Sequence, residues 1–289
     1  MNLVSALLLA LSTLLASLRN IMNKSFSGFS IKNREFFGLQ ATIFGCGSIA
    51  LLLVNLFDFQ GISLYTFFLA LLYGGVLLSA QWFYTIALTK GKIAICATLY
   101  SFGFVFPTLA GFIVWDEEVT VFGILGILAV IPVLIISGTR KKEEKKTNSL
   151  GFLIPLIIAL VCSGGLGILQ KIQQTSEYKN QRSTFILIAF LFAFITSLLF
   201  FLFKKKGDRP IDKRSLGFCT LVGVFFSVCN LLNTYLAGKL DSSVFFPILN
   251  ISSILMSVLL GFIIYKERLT KKDIFVLCLG TIAIILVNL

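Results

Sequence analysis

The chain has 289 residues, 57% of them hydrophobic and only 13% charged, with 25 Lys and Arg against 13 Asp and Glu and no His. Soluble domains carry about 25% charged residues, so this composition and a mean hydropathy of +0.95 exclude a water-soluble globule and place the chain in a bilayer. The basic surplus lies in short gaps between apolar runs rather than on one face or in a recognition motif, which argues against nucleic acid as a partner.

Ten apolar runs follow one another, at about 2–22, 36–57, 63–89, 93–115, 119–138, 151–174, 183–203, 214–238, 242–265 and 270–288. Each is long enough to cross a hydrocarbon core of about 30 Å as a helix. Lipid offers no partner for open backbone groups, so helices are the default. Membrane barrels would show alternating segments of about 10 residues, which this sequence lacks. The expected fold class is an all-α integral membrane protein of ten transmembrane helices. No basic residue precedes Leu3 to mark a signal-peptide n-region, so the first run reads as a span. The longest polar stretch is the basic linker from Arg140 to Ser149. All but four of the 25 Lys and Arg lie in the odd-numbered gaps; the exceptions are Lys171, Lys179, Arg182 and Lys239. By the positive-inside rule that side faces the cytoplasm, which puts both termini outside a cell membrane.

The two halves repeat. A shift of about 150 residues lays Gly111-Phe112-Ile113 on Gly261-Phe262-Ile263, Glu117 on Glu267, Thr120 on Thr270 and Ala87 on Ala237. Lys24 and Lys171 close the first helix of each half. Apolar helices match one another cheaply, but polar matches at one common offset argue for duplication. The expected organisation is a five-helix unit over 1–139, a linker over 140–150 and a second five-helix unit over 151–289. An odd number of spans per unit inverts the second copy, and inverted repeats build transporters with a solute site near the bilayer midplane.

With this architecture the chain resembles the EamA-type members of the drug/metabolite transporter superfamily over nearly its full length. The carrying residues are Pro107-Thr108-Leu109-Ala110-Gly111 with Glu117-Glu118-Val119-Thr120, and Gly261 with Glu267-Arg268-Leu269-Thr270. The first helix reads Ala16-Ser17-Leu18-Arg19-Asn20 where such proteins often have a Trp-Gly pair. The resemblance implies a multi-pass membrane transporter, and its motifs specify architecture rather than substrate.

Polar side chains inside spans must face a cavity or find a partner, so they are the candidate solute ligands. They are Asn20 in the first span, Gln81, Trp82 and Tyr84 in the third, and Tyr100 in the fourth. Gln170 lies in the sixth, Asn230, Asn233 and Tyr235 in the eighth, and Asn250 in the ninth. Asn230 and Asn233 share a helix face, as do Gln81 and Tyr84, and the shift of about 150 places Tyr100 on Asn250. Amides and aromatic walls suit a neutral or zwitterionic small solute. The alternative role for each amide is interhelical hydrogen bonding, at about 0.6 kcal/mol. Arg19, Lys24 and Lys171 are expected to snorkel to headgroups, with anion binding as the other reading. Pro107 and Pro247 interrupt the fourth and ninth spans where alternating access needs bending.

All 13 acids fall in gaps or at span ends, so a mid-membrane proton relay has no carrier and a facilitator or exchanger is expected. Glu117 and Glu267 are candidate gating or coupling groups, or else helix-end partners of nearby bases such as Lys266 and Arg268. The six cysteines lack metal-ligand spacing and read as packing residues, so no metal or cofactor is implied. The expected function is secondary transport of a small polar metabolite such as an amino acid, sugar or nucleoside. The competing reading is a polytopic membrane enzyme using the acidic run Asp116-Glu117-Glu118, the only clustered titratable groups. Oligomeric state, substrate, direction and coupling ion stay open.

Overall fold

The computed structural model describes residues 3–25, 32–90, 100–117, 149–207 and 211–265, with isolated positions at 96, between 121 and 132, and between 274 and 282. Among the described residues the protein is helical and contains no strand. Eight helices are α1 (Leu3–Ser25), α2 (Arg34–Asn55), α3 (Leu64–Lys90), α4 (Val105–Val114), α5 (Ser149–Thr175), α6 (Arg182–Phe203), α7 (Lys213–Ala237) and α8 (Ser242–Tyr265). A 3-10 turn over Phe102–Phe104 leads into α4, and another over Lys179–Gln181 leads into α6. These helices meet eight of the ten expected spans. Of the other two spans, at about 119–138 and 270–288, most residues lie outside the described set, and the described positions are helical. Among the described residues, five stretches are long and apolar enough to cross a membrane: Arg34–Asn55, Leu64–Leu88, Ile154–Thr175, Lys179–Phe203 and Lys213–Ala237.

The helices are amphipathic in the sense opposite to that of a soluble protein. On α1, Val4, Leu7, Leu11 and Leu14 form an exposed apolar stripe, while Ser5, Ser12, Thr13 and Ser17 are buried. Lipid is as apolar as leucine, so burial of apolar surface gives no preference for which face turns inward; packing and hydrogen bonds decide. Small hydroxyl side chains let α1 approach its neighbours, and Ser17 donates to the Ser253 carbonyl of α8 at 3.1 Å.

The main helix pairings join the first four helices to the last four: α2 with α6 and α7, α3 with α5 and α6, α1 with α7 and α8, and α4 with α5 and α8. Exchanging α1 with α5, α2 with α6, α3 with α7 and α4 with α8 leaves that set unchanged. The exchanged partners α2 and α6 run antiparallel. Arg34 N donates to the Lys205 carbonyl, and Gly207 N to Glu35, at one end. At the other end Thr184 donates to Asn55 Oδ1 and Ser183 to the Asp58 carbonyl. Glycines set the close approaches in matched positions. A β-carbon at Gly74 of α3 would meet the Ala189 carbonyl oxygen of α6 at 2.7 Å, and one at Gly223 of α7 would collide with the Ile43 carbonyl of α2. The largest buried cluster lies among α2, α3, α6 and α7, with Phe36, Phe37, Phe44, Tyr73, Phe185 and Phe190 nearly inaccessible. Phe44, Phe190 and Phe226 pack as a ring triad with centroids 5.4–6.1 Å apart.

Candidate functional site

A cavity of about 110 Å³ lies between the two sets of helices. Its walls come from α1, α3 and the 100–107 segment on one side and from α5, α7 and α8 on the other. The lining residues on α7, around Phe226 and Asn230, sit near the middle of that helix.

Five of the ten candidate solute ligands meet here: Tyr100, Gln170, Asn230, Asn233 and Asn250. Two of them, Gln170 and Asn230, are held by a relay through Tyr73. Gln170 Nε2 donates to the Tyr73 hydroxyl at 2.9 Å, and that hydroxyl donates to Asn230 Oδ1 at 2.6 Å. The relay ties α5, α3 and α7 together at the cavity wall, and Asn230 Nδ2 returns to the Phe226 carbonyl at 2.7 Å. Asn233 accepts from Ser12 of α1, and Asn250 donates to the Phe246 carbonyl at 2.8 Å. A buried, satisfied network of this kind fixes side-chain orientation, so the cavity presents its amides in set directions.

Arg19 also lines the cavity. It is only 7% exposed, and its guanidinium lies 4.3 Å over the Phe226 ring. Tyr100 sets its hydroxyl against both Ser163 and Arg19. The expectation that Arg19 snorkels to headgroups is therefore not met: α1 continues more than a turn beyond it, to Ser25, which leaves the side chain inside the helix bundle. Pro107 is buried on the cavity wall, where a β-carbon at Gly167 would come within 2.8 Å of its ring.

The other candidates lie elsewhere. Trp82 packs edge-on against Phe37 and Phe200 with centroids 5.0 and 5.3 Å away. Gln81 is buried, and the Tyr84 ring packs tilted at 41° against Tyr100, centroids 4.6 Å apart, with its hydroxyl unbonded among the described residues. Tyr235 receives the Arg182 and Lys239 cations at 5.1 and 5.8 Å. Pro247 stands inside α8, where its missing N–H removes one helical bond. The Asn20 side chain and Glu267 lie outside the described residues, as does Glu118.

Glu117 closes one end of the assembly. One carboxylate oxygen takes the Lys171 ammonium of α5 at 2.7 Å and the Ser242 hydroxyl at 3.0 Å. The other oxygen accepts the Ser242 and Ser243 amide N–H groups at 2.7 and 3.3 Å, where α8 begins. An acidic group belongs at a helix N-terminus, where free N–H groups and the helix dipole favour it. Lys171 completes the cluster by donating to the Leu240 carbonyl at 3.1 Å. Both charged side chains are under a tenth exposed. Glu117 is brought back by a turn in which Asp116 takes a φ of 49° and Glu117 N reaches the Gly111 carbonyl at 3.2 Å. A β-carbon at Gly111 would collide with the Glu117 carboxylate, which is a local reason for glycine there. The expected alternative, pairing with a base near in sequence, is replaced by a partner from the other set of helices.

Two features were not singled out from the sequence. Tyr73 is fully buried at the hub of the relay; its signal was a phenol in the middle of a span, whose hydroxyl must find a partner. Pro155 stands inside α5.

Residues 150–289 match the model of the EamA-like transporter family. A solved structure described only as the crystal structure of a protein superimposes with a TM-score of 0.71 and 14% identity, covering 99% of this chain and 96% of that one. At that identity the likeness concerns the fold. No curated protein sequence matches this chain.

Proposed function

We propose, from the match of residues 150–289 to the EamA-like transporter family, that the whole chain is a secondary transporter built from two inverted five-helix units, 1–139 and 151–289, joined by the linker 140–150. The exchange symmetry of the helix pairings and the antiparallel run of α2 and α6 support the inverted duplication. The observation that carries the functional reading is the central polar cavity, which draws its walls from both units. Tyr100, Gln170, Asn230, Asn233 and Asn250 are its solute contacts, with Tyr73 holding two of them in place.

The Glu117–Lys171–Ser242 cluster is the latch of one gate. It joins the first unit to two helices of the second at a single end of the cavity. The sequence repeat pairs Glu117 with Glu267 and Lys171 with Lys24, which makes Glu267 the candidate group for the opposite gate. Rocking one unit against the other opens one gate as the other closes, with Pro107 and Pro247 as the bending points. The loop charges put both termini outside, which assigns the Glu117 latch to the outer face of a cell membrane. No carboxylate among the described residues lines the cavity, in keeping with a facilitator or exchanger. The acidic run proposed for a membrane enzyme has its central member engaged in this latch.

Purified protein in liposomes tests the reading. Uptake of a panel of labelled amino acids, short carboxylates, sugars and nucleosides is expected to show at least one saturable solute. Asn230→Leu, which removes a cavity amide and one end of the relay, should abolish that uptake while the protein stays monodisperse. A panel with no saturable uptake, or flux unchanged in Asn230→Leu, would overturn the site.

A further inference from the structure

A second hollow lies on the outside of the bundle and shares no described lining residue with the central cavity. It is an open groove of about 440 Å³ that follows α2 from Gly38 to Ile49, walled by Phe194, Leu198 and Phe201 of α6, with Ile211 and Leu216 beside the start of α7. Its described polar lining residues are Thr42 and Cys46, and the Thr42 hydroxyl is turned back onto the Gly38 carbonyl at 3.0 Å. At 1.5 Å per residue the 38–49 stretch is about 16 Å long, close to one leaflet's half of a hydrocarbon core of about 30 Å. The Gly38 end opens at the face where α2 begins, α6 ends and α7 begins. Arg34, Lys204, Lys205, Lys206, Lys213 and Arg214 gather on that rim, with Glu35 and Asp212 as the described acids. Glu35 is buried and accepts the Gly207 N–H at 2.9 Å. The Arg34 side chain is 43% exposed, 3.9 Å from Glu35, and its guanidinium lies 5.2 Å over the Phe201 ring. A β-carbon on Gly38 would meet that same ring at 3.0 Å, so a cation stands at the mouth of the groove.

We infer that this groove holds an anionic phospholipid, with one acyl chain along α2 and the phosphate headgroup at the basic rim. An apolar trough one leaflet deep that ends in a cluster of cations repeats the amphipathy of such a lipid. Clusters of Lys and Arg at a membrane face attract anionic headgroups, and six bases against two acids favour a headgroup of net negative charge over a zwitterionic one. A second copy of the chain fits less well. Two copies in one membrane share an orientation, so a two-fold contact through the groove would bring their basic rims together at the same level, where like charges repel. The lipid would bridge α2 to α6 and α7, beside the bonds from Arg34 N to the Lys205 carbonyl and from Gly207 N to Glu35. Its occupancy therefore adds to the contact between the first and second sets of helices.

Lipids of equal chain length test the inference on the intact protein. Delipidated protein in detergent is incubated with phosphatidylglycerol, phosphatidylcholine or phosphatidylethanolamine, and bound lipid is counted by native mass spectrometry. One phosphatidylglycerol per chain is expected to survive collisional activation that strips both zwitterionic lipids, and to raise the unfolding temperature above theirs. Glycerol 3-phosphate, which carries the anion without the chains, should fail to displace it. The double variant Arg34→Gln with Arg214→Gln should weaken binding by about 10- to 30-fold, the range for two cations at a membrane surface. Thr42→Phe fills the trough and leaves the rim intact, and it should also release the lipid. Equal retention of all three lipids, displacement by glycerol 3-phosphate, or retention unchanged in both folded variants would each overturn the inference. So would a dimer that forms without lipid and is broken by Thr42→Phe, since a second copy would then be the occupant. The comparison of lipids on the wild-type protein holds even where the variants fail to fold. A chain that carries no solute in liposomes can still hold this lipid, so failure of the transport reading leaves the groove untouched.

Discussion

Lys171 and Arg19 are each 7% exposed, yet the protein treats the two buried cations in different ways. Lys171 meets a carboxylate at 2.7 Å and a main-chain carbonyl at 3.1 Å, and the same carboxylate caps the start of α8. Arg19 lies over an aromatic face at 4.3 Å and opens onto a cavity lined by amides and phenols. Burial alone thus says little about the role of a membrane charge. Lys171 joins helices through a fixed internal anion, whereas Arg19 stacks on an aromatic ring at the wall of an open volume.

The largest expected effect sharpens the first half of that contrast. Glu117→Ala leaves the Lys171 ammonium buried without its carboxylate and should cost about 3–5 kcal/mol, read by denaturant unfolding in detergent micelles. Adding Lys171→Met to it should recover most of the loss, because no buried charge then remains. Equal stability of wild type and Glu117→Ala would remove the latch. A smaller effect probes the cavity side. Tyr73→Phe strands Asn230 Oδ1 and Gln170 Nε2 around the missing hydroxyl. A loss of about 1–3 kcal/mol is expected, together with a raised KM for uptake, and an unchanged KM would show that the relay does not orient the site. The smallest effect lies outside both regions. Trp82→Phe removes an indole N–H that has no hydrogen-bond partner among the described residues and lies off the cavity. Its uptake kinetics should match wild type, and a changed KM would return Trp82 to the solute site.

Much of the helical layout was legible because a lipid solvent reduces the problem to counting apolar runs between charges: the described helix ends fall within a few residues of the expected spans except for α4, which is preceded by a 3-10 turn. That five of the ten candidate residues line the cavity has a related reason, since amides such as Asn230 and Asn250 are costly to expose to lipid. Gln81 and Trp82 carry the same local signal but turn to the packed interior between helices, and period alone does not reveal which neighbour a face meets. Arg19 was misread because, lying only three residues inside the expected end of the first run, it was counted with the loop charges; α1 runs on to Ser25 and the side chain is buried. Glu117 and Lys171 were visible as repeat landmarks. Their meeting depends on how the two sets of helices pack, which no spacing within one set encodes. Moving Arg19 and Lys171 from loops to interior removes one cation from each side of the loop-charge count, so the expected orientation is unaffected.

The central claim is that the two units part at the Glu117 end when solute crosses. In a background freed of the native cysteines, Glu117→Cys and Lys171→Cys can be bridged with a short bis-thiol reagent in proteoliposomes, and flux of the fastest panel solute measured before and after reduction. The account predicts that the bridged protein stops transporting and recovers on reduction to the rate of the unbridged double variant. Undiminished flux through protein that is fully bridged would contradict it.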